Sequence, residues 1–288
     1  MKLLISNDDG ILALGVRSLA NTLVAVGHEV TVVCPDRERS GTGHSLTLDQ
    51  PIRAERVDDI FHPAIVAWAC AGTPCDSVKL GLEVLISEPP DYVIAGINQG
   101  ANLGTDILYS GTVSAAMEGS LLGIDSIALS LTSFSSADFA PAASFASGML
   151  AILEQQGKKS KMLLNVNVPA VRSSEIAGVA ITRQGVRRYD EVFKKRVDPR
   201  GKTYYWLAGE LLSDSLPDSI ESEELPTDVQ AISANYISVT PLQYNLTSFG
   251  DIECLAFMAA LFEADSGGSQ GTRGGIAGDS QGETSKGG

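Results

Sequence analysis

The sequence holds few of the residues that build zinc sites and disulfide frameworks. It has four cysteines and three histidines in 288 residues, with no CxxC pair and no two histidines at ligand spacing. Zinc takes cysteine and histidine ligands at short, regular spacings, so the pattern disfavours a zinc site. Cys34 and Cys70 lie in apolar runs, and we expect them to be buried free thiols rather than disulfide partners.

Basic residues are scarce relative to acidic ones. The chain has 21 lysines and arginines against 35 aspartates and glutamates, which gives a formal net charge of -14. A protein that coats nucleic acid needs a basic surface to displace counterions from the phosphates, so a long nucleic acid is not an expected partner. A small substrate that carries a phosphate stays open, because a bound cation can reverse the local field.

Long apolar runs are absent as well. None approaches the roughly 20 residues that span a bilayer. The first apolar run ends at Asn7-Asp8-Asp9, which is unlike a signal peptide. We therefore expect no membrane segment and a cytoplasmic protein. The 44% of hydrophobic residues is enough for the core of one large domain.

Over about the first 180 residues, short apolar runs alternate with stretches of helical periodicity. Residues 2–7 have the pattern of a buried strand, residues 16–27 that of a helix, and residues 29–34 that of a second strand. A strand–helix–strand opening predicts a right-handed crossover and a parallel sheet, which is the α/β class. The same patterns predict further strands at 65–70, 91–97, 126–131 and 162–168, and helices at 74–86, 112–123 and 139–153.

The pattern changes after residue 180. Residues 183–206 are rich in charged and aromatic side chains and predict an extended hairpin, whereas the acidic residues 211–227 predict a loop. Residues 229–239 show the alternation of a strand. From residue 266 onward, glycine and polar residues dominate. That composition buries too little surface to offset chain entropy, which predicts a disordered tail.

Polar side chains follow three of the predicted strands. Asp8 and Asp9 follow the first strand, Ser40 lies in the loop after the second, and Asn98 ends the strand at 91–97. Ligands of open α/β sheets bind at the carboxyl ends of the strands, so we expect these side chains at one site. Their oxygen atoms suit Mg²⁺, Mn²⁺ or Ca²⁺ better than zinc. An alternative stays open, in which residues 8–10 form a solvated turn with a capping carboxylate.

A glycine-rich segment, residues 96–112, ends where a predicted helix begins. Glycines let backbone amides approach an anion, and the free N–H groups of a helix N-terminus favour phosphate. The segment therefore predicts a phosphate cradle at Ser110, Gly111 and Thr112. An ordinary connector with Thr112 as the N-cap is the other interpretation. The segment is not a Walker loop, because it lacks Gly-Lys-Ser/Thr.

Four other residues are of a type that contacts phosphate: His44 in the loop after the second strand, and Arg183, Arg187 and Arg188. A lone loop histidine usually has no such role. Runs of charge usually form a solvated or interfacial face, which is how we interpret the arginines.

With these residues in view, the sequence resembles the SurE survival-protein family of 5′/3′-nucleotidases. The resemblance covers nearly the whole chain up to about residue 262 and rests on several blocks in the same order. The most specific block is Gly-Ile-Asn-Gln-Gly-Ala-Asn-Leu-Gly, which begins at Gly96 and is followed by Tyr-Ser-Gly-Thr from Tyr109 to Thr112. The other blocks are residues 5–10, 35–41 with 45–47, and 72–78.

The resemblance implies a Rossmann-like, mostly parallel sheet with helices on both faces, and a C-terminal β-hairpin that is exchanged between subunits. Within residues 1–262 it implies a core to about 180, a hairpin extension over about 181–240 and a segment at 241–262 that packs back. Residues 263–288 would form a Gly/Ser-rich disordered tail. The implied assembly is a homodimer or homotetramer joined through the hairpin.

The resemblance also implies a set of site residues. The implied cofactor is one divalent metal ion per subunit, Mg²⁺ or Mn²⁺, and the family's metal ligands correspond to Asp8, Asp9, Ser40 and Asn98. A second set corresponds to the family's phosphate side, and we expect Asn7 to contact the substrate with it: Asn102, Ser110, Gly111 and Thr112.

The implied reaction is hydrolysis of a nucleoside 5′-monophosphate, and of the 3′ isomer as well, by a water that the metal activates. Asp8 and Asp9 are the expected catalytic residues, and we expect Asp9 to orient or deprotonate the water. Two other functions stay open: a non-catalytic nucleotide-binding oligomer and an aspartyl-phosphate phosphatase. Enzymes of the latter kind typically use Asp-x-Asp, whereas Asp8 and Asp9 are adjacent.

Overall fold

The computed structural model describes residues 1–156, 161–213 and 225–265. All of the strands that it describes except β9 and β10 belong to one nine-stranded sheet. Numbered along the chain, the strands are β1 (Lys2–Ser6), β2 (Glu29–Pro35), β3 (Ala54–Arg56), β4 (Val66–Cys70), β5 (Tyr92–Gln99), β6 (Asp125–Leu131), β7 (Leu163–Val168), β8 (Gly178–Ile181), β9 (Arg188–Val197), β10 (Thr203–Ser213) and β11 (Tyr236–Pro241).

The large sheet is mostly parallel, as the sequence predicts. Its strand order is β3-β4-β2-β1-β5-β6-β7-β11-β8, and the run from β4 to β7 is parallel throughout. Strands β2, β3 and β4 lie on one side of β1, whereas β5 and the later strands of this sheet lie on the opposite side. The strand order therefore reverses between β1 and β5, and open α/β sheets bind their ligands at such a reversal.

Helices cover both faces of this sheet. The α-helices are α1 (Leu14–Ala25), α2 (Pro74–Leu80), α3 (Gly111–Leu121), α4 (Ala140–Gln156), α5 (Asp228–Ser233) and α6 (Phe249–Asp265). Helix α2 begins as predicted, with Thr73 as its N-cap and a capping box to Asp76, and continues as a π-helical turn at Gly81–Leu85. A 3₁₀ helix, Gly104–Leu108, precedes α3.

The alternating side chains of β1 explain why both faces are covered. Leu3 and Ile5 belong to one buried cluster with the apolar sides of α1 and α4. Leu4 points the other way, into a second cluster with α2 and α3. A strand that is apolar on both faces must be buried on both, which fixes β1 and its neighbours at the centre of the sheet.

The predicted hairpin is present and stands apart from the large sheet. Strands β9 and β10 pair antiparallel with each other, from Arg188 opposite Ser213 to Val197 opposite Thr203. They form a two-stranded sheet of their own. The acidic loop predicted over 211–227 begins later than expected, because β10 continues to Ser213, and residues 214–224 lie outside the described residues.

The strand predicted over 229–239 is wrong in its first half. Residues Asp228–Ser233 form helix α5, and β11 begins only at Tyr236. Thr227 and Gln230 form a capping box: Thr227 Oγ1 accepts from the Gln230 N–H at 3.1 Å, and Gln230 Oε1 accepts from the Thr227 N–H at 2.9 Å. This local capping outweighs an alternation that is too short to distinguish a helix from a strand.

The chain divides into two compact units, residues 1–244 and 245–288. The large sheet and the hairpin belong to the first unit. In the described part of the second unit, α6 runs to Asp265, three residues into the segment predicted as a tail. Residues 266–288 lie outside the described residues, and the packing of 241–262 stays a prediction. Within the described parts of the chain, no helix is long and apolar enough to cross a membrane.

Candidate functional site

A pocket of about 400 Å³ opens at the carboxyl ends of β1 and β5, where the strand order reverses. Its walls come from the turn after β1, the loop after β2, the segment from the end of β5 to α3, and the loop after β6. The structure brings all four predicted metal ligands around this cavity, together with two of the predicted phosphate contacts. The described lining residues are Asp8, Asp9, Glu38, Ser40, Gly41, Asn98, Gln99, Gly100, Ala101, Asn102, Asp106, Tyr109, Ser110 and Phe134.

The turn between Asn7 and Gly10 presents the two aspartates. Asn7 Nδ2 donates to the Gly10 carbonyl at 2.9 Å, and Asn7 Oδ1 accepts from the Gly10 N–H at 3.2 Å. Gly10 has a φ of +94°, and a Cβ there would lie 2.8 Å from the backbone carbonyl carbon of Arg37, so only glycine fits. Asn7 is buried and holds this turn, and it is not one of the residues that line the pocket.

Asp8 is buried against the N-terminus of α3. Its Oδ1 accepts a hydrogen bond from the Thr112 hydroxyl, and the Thr112 backbone N–H also bonds to the carboxylate. A Cβ on Gly111 would lie 2.8 Å from Asp8 Cβ. Burial raises the pKa of Asp8, and the hydrogen bonds from Thr112 oppose that rise. Gly111 and Thr112, predicted as phosphate contacts, thus hold Asp8 and do not themselves line the pocket.

Asp9 is half-buried beside Asp8. Its Oδ2 accepts from the Gln99 N–H at 3.1 Å, which ties the turn after β1 to the end of β5. Burial, and after it the charge of Asp8, raises the pKa of Asp9 to about 6. Both adjacent carboxylates resist ionisation, because burial disfavours their charged form. A cation bound by the two carboxylates would compensate this negative charge, so the arrangement favours cation binding.

Ser40 and Asn98 contribute a hydroxyl and an amide from two other segments. Ser40 is exposed, and its hydroxyl donates to Glu38 Oε1 at 2.8 Å. Asn98 Nδ2 donates to the Gly100 carbonyl at 2.9 Å, so its amide oxygen is the atom available to a cation. Both side chains line the pocket, although the structure holds each through a contact within its own loop.

Asn102 and Ser110 lie on the wall between β5 and α3. The Asn102 carbonyl accepts from Asn165 Nδ2 at 2.8 Å and from Asn167 Nδ2 at 3.0 Å, and its N–H donates to Asn167 Oδ1 at 2.9 Å. Its own Nδ2 donates to Ser130 Oγ at 2.9 Å. Ser110 is the N-cap of α3. Hydrogen bonds to β6 and β7 therefore fix Asn102 in place, and the cap of α3 fixes Ser110.

The pocket is acidic throughout. Four carboxylates line it, those of Asp8, Asp9, Glu38 and Asp106, and no lysine or arginine is among its described lining residues. The charged side chains that line the pocket are all acidic, so they would repel a phosphate group unless a cation reversed the field. Carboxylate, hydroxyl and amide oxygens are the donors that Mg²⁺ and Mn²⁺ prefer. The residues present therefore fit the divalent metal that the sequence implies.

Eight described lining residues are absent from the predicted set: Glu38, Gly41, Gln99, Gly100, Ala101, Asp106, Tyr109 and Phe134. Glu38 and Tyr109 lie within two residues of Ser40 and Ser110, which belong to the predicted set. Their positions in the sequence could therefore have identified them as lining residues. Phe134 comes from the loop after β6, and no local pattern marks it.

Asp106 connects the pocket with the hairpin. Its Oδ2 accepts from Arg187 Nη1 at 2.9 Å and from the Tyr189 hydroxyl at 2.7 Å. Arg187 thus pairs with a pocket carboxylate rather than lining the cavity. Arg183 Nε donates to the Leu225 carbonyl at 3.3 Å, and Arg188 begins β9. None of these three arginines lines the pocket in the described structure.

A second cluster of polar side chains surrounds Glu118 of α3. Glu118 Oε2 lies 2.8 Å from His44 Nε2, and Oε1 accepts from Lys79 Nζ at 3.1 Å. Cys75 completes a group whose ligand atoms lie within 4.8 Å of one another. Lys79 already neutralises Glu118, and burial raises the pKa of the Cys75 thiol to about 12, which disfavours a metal thiolate. The oxygen-lined pocket is the better metal site.

Comparisons with known proteins agree with this geometry. The family model described as "Survival protein SurE" matches residues 3–191. A protein named 5′-nucleotidase SurE from Cyanothece sp. is 63% identical over 257 residues, which cover 89% of this chain and 95% of the relative. Another of that name, from Trichormus variabilis, is 66% identical over 249 residues, 86% of this chain and 94% of the relative.

The solved structure of the SurE protein from Aquifex aeolicus has the same fold. It superposes with a TM-score of 0.74 at 39% identity, and the match covers 90% of this chain and 100% of that chain. The family model, the named relatives and the solved structure all belong to SurE proteins. The chain belongs to the SurE family.

Proposed function

We propose that this protein is a metal-dependent phosphomonoesterase that hydrolyses nucleoside 5′-monophosphates, and also 3′-monophosphates, to nucleoside and phosphate. The observation that carries the proposal is the pocket lined by four carboxylates and by no described lysine or arginine. Such a pocket accepts a phosphate ester only with a bound cation. The relatives named 5′-nucleotidase SurE support the same reaction and the nucleotide as its substrate.

One divalent ion per subunit, Mg²⁺ or Mn²⁺, would be held by Asp8, Asp9, Ser40 and Asn98. When bound, this ion neutralises charge on the phosphoryl group and lowers the pKa of water. Asp8 supplies a fixed ligand, because Thr112 and the helix end of α3 hold its carboxylate. Asn7 and Gly111 serve the same end by shaping the turn and the space around Asp8.

Asp9 is the residue that we propose to orient, or to take a proton from, the attacking water. The Gln99 N–H occupies Oδ2, which leaves Oδ1 for that contact. Asn102 and Ser110 line the pocket and would contact the phosphate oxygens, where preorganised polar groups stabilise developing charge.

Assembly through the hairpin is part of the proposal. Strands β9 and β10 carry exposed apolar side chains, and a free hairpin of this kind is a surface for a second subunit. We propose a homodimer or homotetramer located in the cytoplasm. The exposed apolar residues are Val192, Phe193, Val197, Tyr204, Tyr205, Trp206 and Leu207.

The test is phosphate release from 5′-AMP, 5′-GMP and 3′-AMP in Mn²⁺, Mg²⁺ or EDTA, with wild-type protein and an Asp9→Ala variant. Release that needs metal, and that falls by at least about 100-fold in the variant, supports the reaction and the site together. A folded variant with near-normal turnover would contradict the assigned role of Asp9. Nucleotide binding without release would instead favour a non-catalytic binding protein.

A further inference from the structure

Two aromatic side chains stand exposed at the pocket, whose other side chains are polar apart from that of Ala101. Tyr109 is 68% exposed and Phe134 is 84% exposed, and both line the cavity. Single exposed apolar residues are common on protein surfaces. Here, however, two aromatic rings line the same cavity as the proposed metal ligands. Their position indicates that the ligand of this pocket carries an apolar or aromatic group.

The loop that carries Phe134 is anchored to the site. Gln99 Nε2 donates to the Phe134 carbonyl at 3.0 Å and to the Ser136 carbonyl at 3.3 Å. Gln99 is also the residue whose N–H holds Asp9. One residue thus ties the Phe134 loop and a metal ligand to the same strand end.

Gly100 provides the surface on which the Phe134 ring rests. A Cβ at Gly100 would lie 2.5 Å from Phe134 Cε1, so the ring occupies the space that any side chain there would need. One edge of the ring is therefore held against the backbone. The high exposure of Phe134 leaves much of its ring open to a ligand.

Tyr109 lines the pocket from the segment just before α3. It directly precedes Ser110, which we assign to the phosphate, and its carbonyl accepts from the Gly43 N–H at 3.1 Å in the loop that follows Ser40. Phe134 comes from a different loop and has no proposed phosphate contact beside it. The cavity therefore combines the proposed phosphate contacts with an aromatic ring on a separate loop, as a nucleotide combines a phosphate with an aromatic base.

We propose that Phe134 is the platform on which the nucleobase of the substrate stacks, and that it gives the enzyme a preference for purine over pyrimidine nucleotides. This inference rests on the proposed function, since it concerns the same pocket. Base–aromatic stacking is sequence-tolerant, and its strength grows with the overlapping ring area, so purines gain more than pyrimidines. A sugar phosphate without a base gains nothing from the ring.

The experiment compares kcat/KM for AMP, UMP and ribose 5-phosphate in the wild type and in Phe134→Ala, Phe134→Leu and Phe134→Trp. Removal of the ring lowers the preference for AMP over ribose 5-phosphate by about tenfold, the lower part of the range for one stacked base. The lower preference results from a higher KM for AMP rather than from a lower kcat. Phe134→Leu shows the same loss of preference, because it also lacks the ring. The Trp variant restores the preference, and the preference for AMP over UMP falls in the Ala variant.

Leu108→Ala is the matched control, because Leu108 is 62% exposed, directly precedes Tyr109 and does not line the pocket. A second measurement, calorimetric binding of the phosphonate analogue of AMP in Mn²⁺, decides the question even if no ester is hydrolysed. Weaker binding of the analogue by Phe134→Ala, with binding retained by Phe134→Trp, supports the stacking platform. If the protein nevertheless hydrolyses no nucleotide, only the proposed enzymatic function is wrong. Equal binding by wild type and Phe134→Ala, or an equal loss for AMP and ribose 5-phosphate, overturns the stacking platform.

Discussion

At the scale of single residues, the position of Asp8 depends on a glycine. Gly111 opens α3 directly against the carboxylate, and a Cβ there would lie 2.8 Å from Asp8 Cβ and 2.9 Å from its Oδ2. Alanine is otherwise the better helix former, so a glycine at a helix start serves the site rather than the helix. The backbone of α3 reaches the carboxylate only because the side chain is missing.

We predict that Gly111→Ala lowers Mn²⁺ affinity by about 10- to 100-fold, the usual cost of disturbing a residue that positions a metal ligand. The affinity would be measured by calorimetric titration. Gly148→Ala is the control, because Gly148 lies in α4 with no atom within 4 Å of the added Cβ. That control should bind Mn²⁺ normally and gain about 0.5–1 kcal/mol of stability. Normal Mn²⁺ binding by Gly111→Ala would refute the assigned contact.

Asp9 makes the metal-free fold sensitive to pH. Its pKa is raised from 3.8 to about 6 in the folded protein, by burial and then by Asp8. The folded state therefore holds this proton more tightly than the unfolded state. The resulting stabilisation is complete below about pH 4 and is lost as pH rises through 6.

We predict that Asp9→Asn, which keeps the shape without the charge, is more stable than the wild type at pH 7 in EDTA. The difference should shrink as the pH falls toward 4, where Asp9 is protonated, and urea unfolding at several pH values would measure it. Added Mn²⁺ should stabilise the wild type much more than the variant. A variant less stable than the wild type at pH 7 in EDTA would show that the Asp9 charge does not oppose folding.

At the scale of elements, α5 links the hairpin region to the pocket wall through one carboxylate. Asp228 is fully buried, and its oxygens accept from the Gly104 N–H at 2.8 Å and the Gly185 N–H at 2.9 Å. Gly104 begins the 3₁₀ helix before α3, and Gly185 lies shortly before β9. A short helix with a strong capping box thus fixes two segments that are distant in sequence.

We predict that Asp228→Ala lowers the free energy of unfolding by about 3 kcal/mol, because the buried N–H groups of Gly104, Gly185 and Val229 lose their acceptor. Urea unfolding measures the change. Asp228→Asn keeps one acceptor oxygen and should lose clearly less. A loss below about 1 kcal/mol in the alanine variant, the ordinary value for a single net hydrogen bond, would mean that water replaces the carboxylate without cost.

The central elements of the fold were predictable because their patterns are local. Apolar runs and helical spacing gave β1, α1, β2 and β5 within about two residues, and strand ends placed Asp8, Asp9 and Asn98 at one edge. Helix α5 was mistaken for a strand, although the Thr227–Gln230 capping box was readable in the sequence. A short alternation of apolar and polar residues cannot distinguish a helix from a strand, whereas the capping box could have identified the helix.

The other site residues follow from tertiary structure rather than from pattern. Thr112 was expected to face phosphate, but the fold carries α3 against β1, so its hydroxyl meets Asp8 instead. Phe134 enters the pocket because Gln99 holds a loop from a different strand. Neither contact leaves a mark within a window of neighbouring residues.

At the scale of the whole molecule, the hairpin is the feature that a single chain leaves unexplained. Its two strands pair only with each other among the described strands. Trp206 is 65% exposed at its centre, opposite Lys194. An isolated two-stranded hairpin is marginal in water, so its exposed apolar side chains favour burial against a second subunit.

We predict that Trp206→Glu converts the assembled protein to smaller species, because a charge at a buried interface is costly. Light scattering coupled to size exclusion gives the mass directly. Val84→Glu is the control, since Val84 is 67% exposed and lies outside the hairpin. A wild type that is already monomeric, or an assembly unchanged by Trp206→Glu, would contradict assembly through the hairpin.

The function proposed for the acidic pocket requires that a phosphate ester binds there only through a bound cation. The most direct test is calorimetric binding of the phosphonate analogue of AMP to the wild type in Mn²⁺ and in EDTA. We expect affinity at least about 100-fold higher in Mn²⁺, because the carboxylates of Asp8, Asp9 and Glu38 otherwise repel the ligand. Equal affinity in EDTA would show that the protein binds phosphate without a metal, and would contradict the account.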